Sequence, residues 1–231
     1  MASGSKRSTI KKNRKMTGQP TSAVCCTMYQ LKVTLLGTKP PIWRRLLVRG
    51  DINLGLLHAV LQAAMGWTNS HLHSFVVGQR RFADPLSSED AFDGSPDEDE
   101  NKTLLGDIVP HAKGDFHYEY DFGDSWQHRV LVEKVIEPKD GDKILARCLD
   151  GARNCPPEDC GGIWGYSELL KAINDPKHAE HESMLEWIGG DFDPESFDAD
   201  KINQYLHRLN SPATTEDQLR VVLMARDGHR D

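Results

Sequence analysis

Two histidines, His71 and His73, stand two residues apart in a stretch, His71 to Val77, that has strand character. On a strand this spacing projects both side chains from one face. Imidazoles so placed are one arrangement for metal ligation, which His117 or His128 on a neighbouring strand can complete. A second pattern competes with it. His73 shares its face with Phe75 and Val77, and His128 shares its face with Trp126 and Val130. A core-edge histidine bonded to a carbonyl or carboxylate accounts for both equally well.

Carboxylates are plentiful near these residues: Glu119 and Asp121, Asp124, the pair Glu158 and Asp159, and Asp191 with Asp193 and Glu195. Such groups can gather round a divalent cation for hydrolysis. The Asp191-x-Asp193-x-Glu195 run lacks the Gly and distal Glu of a calcium loop, and it lies between two helical stretches, where acids cap N-termini. The triplet Asp121-Phe122-Gly123 matches a kinase metal motif in letters only, because no Gly-rich phosphate loop and no His-Arg-Asp loop accompany it. Gly123 is explained by turn freedom alone.

Cys148, Cys155 and Cys160 fall within thirteen residues, and Pro156, Pro157, Gly161 and Gly162 shape the loop around them. Three thiols raise the question of zinc, although the spacing is not that of a close Cys-x2-Cys knuckle. Packing under a tight loop is the competing reading. Trp43 and Arg45, if outward-facing, form an aromatic and guanidinium patch suited to a partner. Otherwise Trp43 packs at the sheet edge under the Arg stems.

The elements that must position these groups are legible in the periodicity. Tyr29, Leu31, Val33 and Leu35 alternate with polar residues, and Ile42 to Val48 returns after Gly37-Thr38-Lys39-Pro40-Pro41, a hairpin. Leu54, Leu57, Val60, Leu61 and Ala64 have helical spacing, with Asp51 or Asn53 as cap and Gly66 as stop. His71–Val77 pairs back with Arg80–Phe82. Phe116, Tyr118, Tyr120 and Phe122 share a strand face, Gly123-Asp124 turns, and Trp126, His128, Val130 and Val132 line the return strand. From Asp84 to Glu100 there are eight acids and no base, which reads as a solvated loop. Tyr166–Asn174, Glu180–Ile188 and Asp200–Leu209 read as helices, and Thr215 with Gln218 as a capping box for a short final helix.

The 231 residues suffice for one real core, and 38% hydrophobic with 27% charged residues is globular composition. No apolar run reaches membrane-spanning length, and no signal peptide is expected. Five cysteines, an odd number with Cys25 and Cys26 adjacent, are not a secreted disulfide framework, so a cytoplasmic location with reduced thiols is expected. The net charge of −7 is uneven. Residues 1–27 hold six basic residues and no acid, and the remaining 22 basic and 35 acidic groups leave −13. So acidic a body repels phosphate backbones, and nucleic-acid contact is expected only through the basic tail.

In order along the chain stand Pro41-Ile42-Trp43-Arg44-Arg45, Leu57-His58 with Met65-Gly66-Trp67, His71-Leu72-His73-Ser74-Phe75, and Asp121-Phe122-Gly123-Asp124-Ser125-Trp126-Gln127-His128. They are followed by Cys155-Pro156-Pro157-Glu158-Asp159-Cys160-Gly161-Gly162, Trp164-Gly165-Tyr166, and Gly189-Gly190-Asp191-Phe192-Asp193-Pro194. This string resembles the plasmid pRiA4b ORF-3-like family over roughly residues 28 to 210. The resemblance implies a link with plasmids and mobile elements and no established activity. Some relatives carry the label of transposon resolvase. This sequence has neither the N-terminal nucleophile segment nor the basic helix-turn-helix of one.

The sequence therefore predicts an α+β fold: a mixed, largely antiparallel sheet from the N-terminal two-thirds packed with helices, and a helical C-terminal third. It divides into a basic tail over 1–27, one domain over 28–210 and an extension over 211–231. The expected function is a non-enzymatic binding or accessory protein for an unidentified protein or small molecule. Its groove is lined by His71, His73, Asp121, Asp124, Trp126 and His128 and closed by the loop bearing Glu158 and Asp159. The alternative is a metal-dependent hydrolase or nuclease built on the same His and carboxylate groups, with zinc the candidate cofactor.

Overall fold

Alternation of apolar and polar residues sets the sheet. A computed structural model describes residues 27–85, 97–137, 144–190 and 192–209. Strands β1 (Met28–Leu35) and β2 (Ile42–Arg49) form the expected antiparallel hairpin. Along β2 burial alternates residue by residue, so Ile42, Arg44, Leu46 and Val48 face inward while Trp43, Arg45 and Leu47 face out. β3 (His73–Val77) pairs with β4 (Arg80–Ala83), and β6 (Asp115–Tyr120) pairs with β7 (Trp126–Ile136). With the two-residue β5 (Glu98–Asp99) and β8 (Ala146–Ala152) they make one eight-stranded sheet in the order β5-β4-β3-β6-β7-β1-β2-β8. Only β4 and β5 run parallel; every other neighbouring pair is antiparallel.

One face of this sheet is covered by α1 (Leu54–Met65), which is buried at ten of its twelve positions. Asn53, one of the two expected caps, accepts the Leu56 backbone N–H at 2.8 Å. Gly66 ends the helix at φ 101°, a left-handed turn that favours glycine. Arg49 takes the other candidate, Asp51, as its ion-pair partner. Phe75, Phe116, Tyr118, Tyr120, Trp126 and Val130 pack beneath α1 with almost no exposure. α2 (Leu105–Ile108), α3 (Gly162–Asn174), α4 (His181–Trp187) and α5 (Ala199–Leu209) complete the helices.

The expectation of a sheet from the first two-thirds followed by a helical C-terminal third is overturned. Helix and strand contribute nearly equally, 30% and 32%, around one large mixed sheet. α1 and α2 lie well before the last third, and within it α3, α4 and α5 are separated by irregular segments. β8 (Ala-Arg-Cys-Leu-Asp-Gly-Ala) was not legible as a strand, since it has no β-branched residue. It is held by pairing to β2 and by the packing of α5 against it, context that outweighs propensity. The basic tail up to residue 26, the acidic stretch 86–96 and the Thr215–Gln218 capping box lie outside the described residues. Among those described, no helix is long and apolar enough to cross a membrane.

Candidate functional site

The chemistry collects where three loops meet at one end of β3, β6 and β7. His71 does not lie on β3 but on the bend just before it. The backbone N–H of Asp121 donates to the carbonyl of Leu72 at 2.8 Å, so the end of β6 is pinned beside that bend. Asp121 sits at φ 57°, a left-handed conformation that carries a cost in a residue with a side chain. Its Oδ1 accepts the N–H groups of Gly123 (2.9 Å) and Asp124 (3.3 Å), an Asx turn. Oδ2 is thereby left to face His71, 3.7 Å from Nε2.

The third member is Asp159, also left-handed at φ 60°. Its loop is tied down from several sides. Trp67 Nε1 donates to the Pro156 carbonyl at 3.0 Å. Glu158 accepts from Thr68 Oγ1 (2.6 Å), from the Thr68 N–H (3.1 Å) and from the Tyr120 hydroxyl. Asp124 Oδ2 accepts the Gly161 N–H at 3.2 Å. With Glu158 and Gly161 holding the loop, Asp159 places Oδ1 3.0 Å from His71 Nε2.

The ligating atoms of His71, Asp121 and Asp159 all lie within 4.8 Å of one another. Two ligands each about 2.1 Å from a tetrahedral zinc stand about 3.4 Å apart, so separations of this size suit a shared cation. Neither carboxylate oxygen meets the buried Nε2 in hydrogen-bond geometry, despite the short distance to Asp159. Nε2 therefore makes no hydrogen bond, and in the neutral ring with the proton on Nδ1 its lone pair is open to a cation. One imidazole and two carboxylates favour a first-row divalent ion over calcium or magnesium.

The other expected groove residues lie behind this cluster. Trp126 and His128 are fully buried and His73 is 9% exposed, so none of the three opens to solvent. The reason is register: as inner-face residues of β7 and β3 they point under α1. His73 stacks on His58 of α1 with ring centroids 3.4 Å apart and 4° between planes. His73 Nε2 meets Glu100 Oε2 at 2.9 Å, and His58 bonds Tyr118 OH (2.8 Å) and Asn69 Oδ1 (2.6 Å). Burial lowers His73 to about 4 and raises Glu100 to about 7. The same burial, aided by the facing His73, drives His58 well below its usual value. His128 is lowered to about 4, again by burial, and gives its Nδ1 to the Tyr118 carbonyl at 3.2 Å.

The three cysteines do not join the one metal-binding group found among the described residues. Cys148 lies under α5, where Asn203 bonds both its backbone N–H and its carbonyl. Cys155 contacts Arg44 Nη2 at 3.4 Å and Met65 Sδ at 3.7 Å. Burial pushes the Cys148 and Cys160 thiols up to about 11 and about 12. Trp43 and Arg45 stand on the outer sheet face, the guanidinium 4.9 Å above the indole ring and paired with Glu133 and Asp150.

From the cluster a cleft of about 720 Å³ runs between the end of α1, the Cys155–Asp159 loop, α4 and α5. Asp159 and Ser70 line it together with the aromatic side chains of Trp67, Trp187, Phe192, Phe197 and Tyr205. Sequence reasoning missed Arg44, His58 and Glu100. Strand alternation already set Arg44 opposite Trp43, and a histidine at Leu57-His58 in an apolar helix was a signal for a buried polar network. Glu100 was hidden in the acidic run.

The family model described as plasmid pRiA4b ORF-3-like protein matches residues 27–201. The uncharacterized protein y4hQ of Sinorhizobium fredii is 38% identical over 184 residues, 79% of this chain and 92% of that protein. A crystal structure of a protein of unknown function, MM3350 from Methanosarcina mazei Go1, aligns with a TM-score of 0.68 at 37% identity. It covers 76% of this chain and 96% of its own.

Proposed function

This chain belongs to the plasmid pRiA4b ORF-3-like family, and from that premise we propose that it is a metal-centred ligand-binding protein, an accessory to plasmids or mobile elements. The observation that carries the reading is the gathering of His71, Asp121 and Asp159 within 4.8 Å, beside the cleft that Asp159 also lines. Asp159 belongs to both, so a cation held there borders directly on whatever fills the cleft. Two of the three residues hold left-handed backbone conformations, a cost that tends to be retained at functional sites. The loop bearing Asp159 is braced by Glu158, Asp124 and Trp67, which fixes the donor set before a ligand arrives.

The metal-dependent hydrolase is the second reading. It is favoured by the count of protein donors: three, as in catalytic zinc sites, where a further position is left for water. Titrating the metal-free full chain with Zn²⁺ and Mn²⁺, then assaying the loaded protein on phosphodiester, ester and amide substrates, separates the readings. Metal uptake without turnover supports the binding protein. Turnover that disappears in Asp159→Asn makes it a hydrolase, and no uptake at all defeats both.

A further inference from the structure

A buried cation lines the cleft. Arg44 is 3% exposed, the one charged residue on an inner face of β2 that otherwise carries Ile42, Leu46 and Val48. Its Nε donates to the Ala64 carbonyl (3.0 Å) and its Nη1 to the carbonyls of Trp43 (2.9 Å) and Ala152 (3.0 Å). Nη2 reaches Cys155 Sγ at 3.4 Å, and the guanidinium lies 5.1 Å over the Phe197 ring. A guanidinium has five N–H groups, and these contacts use four. Six other arginines, Arg45, Arg49, Arg80, Arg81, Arg129 and Arg153, each meet a carboxylate. Arg44 meets none among the described residues, although a buried charge without a counter-ion is costly.

The acids that line the same cleft are already committed. Glu158 is held by Thr68 and Tyr120, Asp198 accepts the Lys201 N–H at the start of α5, and Asp159 faces His71. On the cleft wall Lys201 brings a second positive group that is in no ion pair among the described residues. Two cations and three carboxylates line the cleft, and of these charges Arg44 alone is fully buried, so the counter-charge it lacks is a local demand that an incoming negative group would meet.

We infer that the ligand of this cleft is a small organic anion whose carboxylate or phosphate seats on Arg44 and Lys201 while its body lies against Trp187, Phe192 and Phe197. The inference rests on the cleft being the binding site of the proposed function, and it names the class of ligand. An oxyanion takes up the remaining Nη2 N–H and supplies the missing counter-charge, the geometry in which arginine excels.

The test is isothermal titration of the full chain with inorganic phosphate and with succinate, each in chelator and again with Zn²⁺. Saturable binding of one probe is expected, and which one saturates distinguishes a phosphoryl ligand from a carboxylate. Binding should weaken by about tenfold or more in Arg44→Met. In Lys201→Ala, an exposed position, it should weaken several-fold. If neither probe saturates the wild type, or if folded Arg44→Met binds as the wild type does, the inference falls. Should Arg44→Met fail to fold, Lys201→Glu decides: abolished binding supports the inference and unchanged binding overturns it. Anion binding that persists in chelator stands even if the metal site fails. Zinc uptake without anion binding sinks this inference and leaves the metal reading intact.

Discussion

Two histidine and carboxylate groupings sit back to back across the start of β3, and they differ in nearly everything except residue type. In front, His71, Asp121 and Asp159 share a half-open site, with Asp159 69% exposed and no hydrogen bond satisfying His71 Nε2. Behind, His58, His73 and Glu100 are buried, stacked and hydrogen-bonded to one another and to Tyr118. The front grouping has spare coordination and little structural duty. The rear one has its bonds already made, within the grouping and to Tyr118 and Asn69, and supports the seating of α1 on the sheet. Identical chemistry is turned toward ligand or toward stability by whether partners are already present.

Glu100→Ala should break this comparison most forcibly from the rear. It strips His73 of its partner and leaves polar rings in the core, and urea denaturation should show a loss of about 3 kcal/mol. Next comes Gly162→Ala, which acts between the two regions. Gly162 has φ 66°, and an added Cβ would run into the Asp124 carbonyl oxygen. About 2 kcal/mol of stability should go, and because Asp124 and Gly161 brace the loop bearing Asp159, metal affinity should fall with it.

Acid titration sharpens the contrast further. His128 is held near 4 by burial against an ordinary value of 6.5, so the folded state refuses a proton that the unfolded state accepts. Its stabilising share is whole above pH 6.5 and is lost as pH falls from 6.5 toward 4. Glu100, raised to about 7 from 4.5, runs the other way: its share is whole below 4.5 and is lost as pH rises through 7. Stability followed from pH 4 to 8 should show a shallower acid slope in His128→Gln, with the shares of His58 and His73 remaining, and should lose its neutral slope in Glu100→Gln. The smallest effect belongs to the front. Asp159→Asn, exposed and without a hydrogen bond, should shift stability by less than about 0.5 kcal/mol.

The sequence made the front site more readable than the rear. His71, Asp121 and Asp159 could be named because they lie in turn-rich motifs, where alternation stops and sites are built. Period two also placed His73 beside His71 on one face, and this failed for a local reason: His71 precedes the first paired residue of β3, so the alternation does not reach it. The hairpins of β1 with β2 and β6 with β7 were legible from alternation and turn residues. Glu100 was not. It belongs to a run of acids that reads as solvated, and only the turn Glu100–Lys102, docked against α1, carries it inside to 3% exposure. β8 was hidden for a similar reason, its strand state being imposed by β2 and α5.

The central claim is that His71, Asp121 and Asp159 bind one divalent cation. Its most direct test is calorimetric titration of the metal-free full chain with Zn²⁺, alongside His71→Ala and Asp159→Asn variants checked for native stability. One saturating equivalent in the wild type, lost or weakened by about tenfold or more in both folded variants, is the predicted result. A wild type that takes up no zinc, or variants that bind it as tightly as the wild type, would contradict the account.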